Sequence, residues 1–201
     1  MNEFYKNLIN KLGEDNFKKV QATRVGLAGL GGLGSNCALN LVRVGFRKFT
    51  MVDFDSIDSS NLDRQFYFFD QVGEDKTEAL KANLLKVNPD LEIKALKARI
   101  EKGNVEEIFG SCRVVAECFD KAESKSMLVA ELLRLKKFVV SASGLGGWGE
   151  SDEIKTHRVK GNLIMVGDLR SDICMRPALS PRVNIAASKQ ADAILEYTIG
   201  K

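Results

Sequence analysis

The sequence predicts an α/β fold: a mostly parallel sheet with helices on both faces and a C-terminal antiparallel extension. Three observations lead there. Residues 24–65 read as strand, glycine-rich turn, helix, strand, which is a βαβ unit. Short apolar runs then keep alternating with amphipathic helical segments as far as residue 149, and that alternation calls for parallel strands joined by right-handed crossovers. From Glu150 the rhythm changes to two neighbouring strand-like runs about Lys160-Gly161, as in a hairpin.

Each element has its own warrant. Residues 1–20 are expected to form a helical N-terminal arm, with Phe4, Leu8, Leu12 and Phe17 as an apolar stripe interrupted at Gly13. A strand over 25–30 turns through Gly29, Gly31, Gly32 and Gly34 into a helix over 35–44. A second strand over 48–52 ends in Asp53. The pattern G-x-G-x-x-G assigns separate tasks: Gly29 permits the tight turn, Gly31 lets the backbone approach a phosphate, and Gly34 lets helix and strand pack closely. The N–H groups that open the helix form an anion site. Asp53 follows the glycines by about 20 residues, where an acid holds a ribose hydroxyl, so the unit reads as Rossmann-like.

After a polar loop, Phe66-Tyr67-Phe68-Phe69 reads as an aromatic plug beneath that loop rather than a substrate platform. The helix over 76–87 faces Leu80, Leu84 and Leu85 inward and stops before Pro89. A strand over 91–96, a short helix over 105–109 and a fourth strand over 113–118 follow. The helix over 123–136 buries Met127, Leu128, Leu132 and Leu135, and the strand over 138–141 runs into the glycine-rich segment 142–149. Runs 153–159 and 162–166 make the hairpin, a loop holding Pro177 follows, and Pro181 opens a last helix through Tyr197. No repeat or linker divides the chain, so residues 1–201 read as one domain.

Composition bounds the function. With 44% hydrophobic and 28% charged residues, the 201-residue chain is an ordinary globular sequence able to bury a core. A net charge of +3 gives no reason to expect direct nucleic-acid binding or a membrane surface. With no apolar run near 18 residues and no leader-like segment, a cytoplasmic location is expected. Cys37, Cys112, Cys118 and Cys174 form no C-x-x-C pair, and His157 stands alone, so no zinc is expected. His157 is read as a surface or structural residue.

The residues after the second strand narrow the reading. Asp53-Phe-Asp55-Ser-Ile-Asp-Ser-Ser60-Asn61-Leu62-Asp-Arg64-Gln65 resembles the D-x-D-x-V-x-x-S-N-L-x-R-Q signature of the ubiquitin-activating-enzyme superfamily, whose bacterial members include ThiF, MoeB and HesA. Val72-Gly73-Glu74-Asp75-Lys76 resembles its V-G-x-x-K, and Glu117-Cys118-Phe119-Asp120 its D-x-x-D. The short length and the C-terminal pattern are most similar to short ThiF-like adenylyltransferases. An NAD-dependent oxidoreductase shares the glycine fingerprint, but it gives no role to Arg64-Gln65 or Lys76.

The resemblance implies ATP-dependent adenylation of the C-terminal glycine of a ubiquitin-like sulfur carrier protein ending in Gly-Gly, in thiazole formation for thiamine. Carriers of the molybdopterin or cysteine pathways, a tRNA-linked carboxylate, and a non-catalytic ATP-binding scaffold are the alternatives. It also implies Mg²⁺ and a homodimer. On that reading Gly29, Gly31, Gly32 and Gly34 cradle phosphate, Asp53 takes the ribose hydroxyls, Asn61 meets a phosphate oxygen, and Asp55 and Gln65 belong to the nucleotide-binding set. Arg64 and Lys76 neutralise the β- and γ-phosphates, and Asp120 holds Mg²⁺. Glu117, one methylene longer than the family's aspartate, gets no metal role. Lys121 and Lys125 stand where relatives carry Asn and Arg. Lys6 is a stand-in for an N-terminal arginine that reaches the partner subunit. Cys174 is the candidate for a carrier-capturing thiol, with Arg176 nearby to activate it. The segment 144–149 is expected to be a hinge or a groove for a glycine-ended tail, and Trp148 its wall or a core residue.

Overall fold

The computed structural model describes residues 3–200. Its elements run α1 (Glu3–Leu12), α2 (Glu14–Ala22), β1 (Arg24–Ala28), α3 (Gly32–Arg43), β2 (Lys48–Asp53), α4 (Lys76–Val87) and β3 (Glu92–Lys97). Then come α5 (Val105–Phe109), β4 (Val114–Glu117), α6 (Ala122–Arg134), β5 (Phe138–Ala142), β6 (Lys155–Lys160), β7 (Leu163–Gly167) and α7 (Ser180–Ile199).

All the described strands join one sheet in the order β3-β2-β1-β4-β5-β7-β6. Each neighbouring pair is parallel except β6 with β7. The expected hairpin is present, with its second strand on the inside: β7 lies parallel to β5, and β6 takes the edge. Strand order reverses between β1 and β4, so the carboxyl ends of these two strands flank the crevice where such sheets bind ligands.

The inner strands β1, β2, β4 and β5 are buried on both faces, which explains their nearly continuous apolar runs, while the edge strands β3 and β6 keep exposed residues. Val25, Leu27, Val114, Ala116 and Val140 belong to a core shared with α3, α4 and α7. Val52, Val115 and Val139 face a second core built from Ile108, Phe109, Leu128 and Leu132 of α5 and α6. Gly26 has a packing reason: a Cβ there would stand 2.7 Å from the Phe109 ring.

Several expectations are corrected. Gly13 splits the N-terminal arm into two helices, and its buried residues are Tyr5, Phe17 and Val20 rather than Phe4, Leu8 and Leu12. Tyr5 meets Phe17 edge-on at 5.5 Å, and its hydroxyl accepts a hydrogen bond from Asn88 at the end of α4, so the arm is docked. Met1 and Asn2 of that arm lie outside the described residues. In α6 only Leu128 and Leu132 of the expected stripe are fully covered, and Leu135 caps the helix. Of the aromatic plug only Tyr67 is fully buried, with Phe66 half-buried against the core. Phe68 is 47% and Phe69 83% exposed because the turn over Phe69–Gln71 carries Gln71 inward, where its amide pairs reciprocally with Asn83.

Candidate functional site

The site starts from the turn between β1 and α3. Gly29 has φ of 86°, a region costly for any residue with a side chain. Its N–H reaches back to Val52 O, while Cys118 N donates to Ala28 O, so the turn is bound to β2 and β4 at once. A Cβ on Gly34 would overlap the Gly29 carbonyl oxygen, which gives that glycine the close-packing task expected of it. Gly31 differs: the nearest atom to a Cβ there is Gln65 Nε2, at 3.7 Å. Space is left beside the backbone of Gly31, next to the N–H groups that open α3.

The Asp53–Gln65 segment folds back over this turn. Asp53 Oδ2 accepts from Leu30 N at 2.6 Å and Oδ1 from Asp55 N at 2.9 Å. Asp53 therefore ties the glycine turn to the loop, and each oxygen keeps a lone pair for a further donor. Asn61 Oδ1 accepts from Asp58 N and closes the turn at Ser59–Asn61. Arg64 lays its stem against the glycines, with Cγ 3.5 Å from a Cβ on Gly32, and its guanidinium meets Asp63 and the Ser60 carbonyl. Gln65 Oε1 is buried and has no hydrogen-bond partner. Ser35 Oγ and Asn36 Nδ2 bond the backbone at Phe66 and Arg64, fixing the loop to α3.

Lys76 opens α4 with its side chain only 8% exposed, and its Nζ lies 3.2 Å from Asp55 Oδ2. The Tyr67 hydroxyl donates to Leu30 O at 2.8 Å and lies 3.4 Å from Lys76 O, which pins the glycine turn to the start of that helix. Burial, and secondarily the charge of Asp53, push the Tyr67 phenol far up, so it stays a neutral donor.

At the end of β4 the structure adds residues that sequence reasoning passed over. Asp120 is exposed, and among the described residues nothing bonds its carboxylate; Lys121, not Asp120, is the N-cap of α6. Glu117 is wholly buried. Its oxygens accept from Phe119 N at 2.7 Å and Ser141 Oγ at 2.5 Å, and Lys125 Nζ sits 2.8 Å away. Lys125 also donates to Phe119 O, and Gln190 of α7 bonds the Glu117 and Val140 carbonyls. Glu117 and Lys125 thus brace the turn that presents Asp120. The motif marked Glu117 and Lys125 but not their pairing.

The segment 144–149 is not a free hinge. Gly147 N donates to Pro177 O, and a Cβ on Gly146 would come within 3.0 Å of the Arg176 and Asp172 carbonyl oxygens, so the glycines are packed against the loop after β7. Buried Arg182 of α7 ties both together through the Gly149 carbonyl and Asp168. Trp148 is 67% exposed on this wall, so it is no core residue. Cys174 is exposed, but a hydrogen bond and negative charge from Asp172 raise its thiol, the opposite of the activation expected from Arg176. Burial pushes Cys37 up to about 12 and raises Cys112 and Cys118 too. His157 Nε2 lies 2.9 Å from Gly167 O, a structural contact. Lys6 is exposed and paired with Glu3.

The sequence model of the ThiF family matches residues 5–199. The chain belongs to the ThiF family. Sulfur carrier protein ThiS adenylyltransferase from Escherichia coli is 28% identical over 144 residues, which make up 71% of this chain and 57% of that protein. Molybdopterin-synthase adenylyltransferase from Haemophilus influenzae is 27% identical over 139 residues, 69% of this chain and 57% of that protein. The chain thus spans just over half the length of these two relatives. The solved structure of E. coli tRNA N6-threonylcarbamoyladenosine dehydratase, TcdA, in complex with AMP gives a TM-score of 0.83 at 19% identity, covering 98% of this chain and 95% of that one. That likeness is one of fold.

The residues of this ThiF-family crevice fit a nucleotide and Mg²⁺. The side of Gly31 beside the helix start is open, and the side-chain atom across it is Gln65 Nε2, a donor of the kind a phosphate oxygen needs. Among the described residues no three acidic, His or Cys side chains converge on one point. Mg²⁺ needs no such cage, because phosphates and waters complete its shell around one carboxylate such as Asp120. No helix among the described residues is long and apolar enough to cross a membrane.

Proposed function

We propose that this chain is an ATP-dependent adenylyltransferase that activates the C-terminal glycine of a ubiquitin-like sulfur carrier protein, of the kind that serves thiazole formation for thiamine. It acts as a homodimer in this reading. A carboxylate oxygen of the carrier attacks the α-phosphorus of ATP, the bond to the bridging oxygen breaks, and pyrophosphate leaves behind an acyl-adenylate. The protein's contribution is position and charge neutralisation rather than covalent chemistry.

The observation that carries the reading is the loop folded over the glycine turn: Asp53 bonds Leu30 N, and Gln65 stands over Gly31. This joins a phosphate cradle to a ribose acceptor. Arg64 and Lys76 bring two cations to the same rim, and in the free protein Asp55 neutralises Lys76 until phosphate takes its place. Mg²⁺ on Asp120 would supply charge neutralisation at the phosphates.

The test is carrier-dependent ATP–pyrophosphate exchange with a ThiS-like carrier ending in Gly-Gly, beside an Asp120→Ala control. The control should lose about 10²–10³ in rate, by analogy with removal of one transition-state contact. Carriers of the molybdopterin and cysteine pathways and a tRNA-linked carboxylate run in parallel; activity with one of these alone reassigns the substrate. Tight ATP binding without exchange on any acid refutes the catalytic reading.

A further inference from the structure

We propose that the end of the sheet opposite the nucleotide crevice carries a second pocket, which binds the polyphosphate group of a small ligand. Four adjacent strands bring four cations into one row there. In the sheet order β2, β1, β4, β5, the residue that begins or immediately precedes each strand is Lys48, Arg24, Arg113 and Lys137. Arg24 and Lys48 are register partners, Arg113 N donates to Arg24 O, and Phe138 N donates to Arg113 O. Neighbouring strands lie about 4.8 Å apart, so the row runs unbroken for roughly 14 Å. A pocket of about 420 Å³ opens on it, lined by Lys19, Arg24, Lys48 and Arg113 with Thr23 and Ser111 as neutral polar groups.

Neutralisation from within the protein is partial. Among the described residues no acid lines the pocket. Glu92 lies 3.7 Å from Arg24, but it is shared with Arg47 at 3.2 Å. Cations near strand starts ordinarily serve the carbonyls of neighbouring helix ends. That accounts for Lys19, which bonds Ile199 O, and for Lys137, which bonds Gly110 O. It does not account for Arg24, Lys48 or Arg113. Arg24 bonds the Phe49 carbonyl of a neighbouring strand, Arg113 lies over the Tyr197 ring, and the ammonium of half-buried Lys48 has no hydrogen bond or ion pair among the described residues. Lys19, Arg24, Lys48 and Arg113 share this pocket with Glu92 beside only one of them, so a bound anion would relieve their remaining mutual repulsion.

The ligand's chemistry follows from the lining. The volume suits a small molecule rather than an extended polymer. No aromatic side chain lines the pocket to stack a base, and cations on consecutive strands match consecutive phosphates. The recognised group is therefore a linear polyphosphate, free or carried by a nucleotide.

Calorimetric titration with inorganic tripolyphosphate and with ATP tests this, using a Lys76→Met background to weaken phosphate binding in the crevice. Tripolyphosphate should bind that chain, and Lys48→Gln/Arg113→Gln in the same background should lower affinity about tenfold or more for each lost charged contact. Lys48→Arg/Arg113→Lys should retain binding, and unchanged melting would show that all variants fold. A fall in ATP affinity on Lys48→Gln/Arg113→Gln that matches the fall for tripolyphosphate assigns the pocket to a nucleotide's polyphosphate, and a fall for tripolyphosphate alone assigns it to the free ion. Absence of tripolyphosphate binding in the Lys76→Met chain, or undiminished binding in the glutamine double variant, overturns the proposal. The readout is equilibrium binding, so it stands apart from whether the chain exchanges pyrophosphate.

Discussion

Replacing Lys125 by methionine keeps much of the side-chain length and deletes the charge 2.8 Å from Glu117. Glu117 has no exposed surface, while 17% of the Lys125 side chain is exposed. The donors left to the carboxylate, Phe119 N and Ser141 Oγ, are neutral dipoles that solvate the charge without cancelling it. Removing one member of a buried pair costs about 3–5 kcal/mol. Two surviving donors and partial water access place this case at the lower end, about 3 kcal/mol. For a domain of this size each kcal/mol moves the melting midpoint by about 2–4 °C, so Lys125→Met should melt about 6–12 °C lower.

The converse variant separates charge from packing. Glu117→Gln should cost less, because Lys125 reaches solvent and keeps its bond to the Phe119 carbonyl. The double variant Glu117→Gln/Lys125→Met should be more stable than Lys125→Met alone, since no charge is stranded. Thermal unfolding of all four proteins by circular dichroism in one buffer decides it. A Lys125→Met midpoint within about 2 °C of the parent, or a double variant no more stable than that single one, refutes the reasoning.

The other predictions concern the turn and the C-terminal wall. Gly34→Ala forces a Cβ onto the Gly29 carbonyl and should cost about 3 kcal/mol or more in urea unfolding. Gly31→Ala has room, should cost at most about 1 kcal/mol, and should still weaken ATP binding about tenfold or more by blocking the backbone's approach to phosphate. Burial raises the Asp168 carboxyl, but the N–H groups of Ser171 and Arg170 and the charge of Arg182 outweigh it and hold the group below its ordinary range. A depressed folded value gives stability that is present above the unfolded value near pH 4 and lost as pH falls through the folded one. Asp168→Asn should therefore flatten this part of the acid limb in urea midpoints measured from neutral to acid pH. At Cys174, Asp172→Asn should lower the thiol's pKa and speed its alkylation at mildly alkaline pH; an unchanged rate would discount Asp172 as the cause of the shift.

What could be read ahead of the structure has a physical pattern. Gly29 and Gly34 were legible because each answers to the backbone of a nearby turn, and backbone geometry demands particular residues at particular spacings; that Asp53 ties this turn to the loop was not. The Gln71–Asn83 pair misled the reading of Phe68 and Phe69: apolar character alone does not say which side of a turn faces inward when two buried amides satisfy each other there. Arg182 and Asp168 lie in different elements with no period linking them, and their pairing exists only because α7 crosses the glycine-packed loop. The cation row is the extreme case. Lys48, Arg24, Arg113 and Lys137 are scattered over residues 24–137, and in the sequence each resembles a solvated charge at an element boundary. Strand order makes them neighbours, because β1 and β4 pair at the same reversal that opens the nucleotide crevice at the strands' other ends. One topological event thus creates the crevice and, at the amino ends of the strands, a concentration of charge that a linear reading of the chain does not reveal.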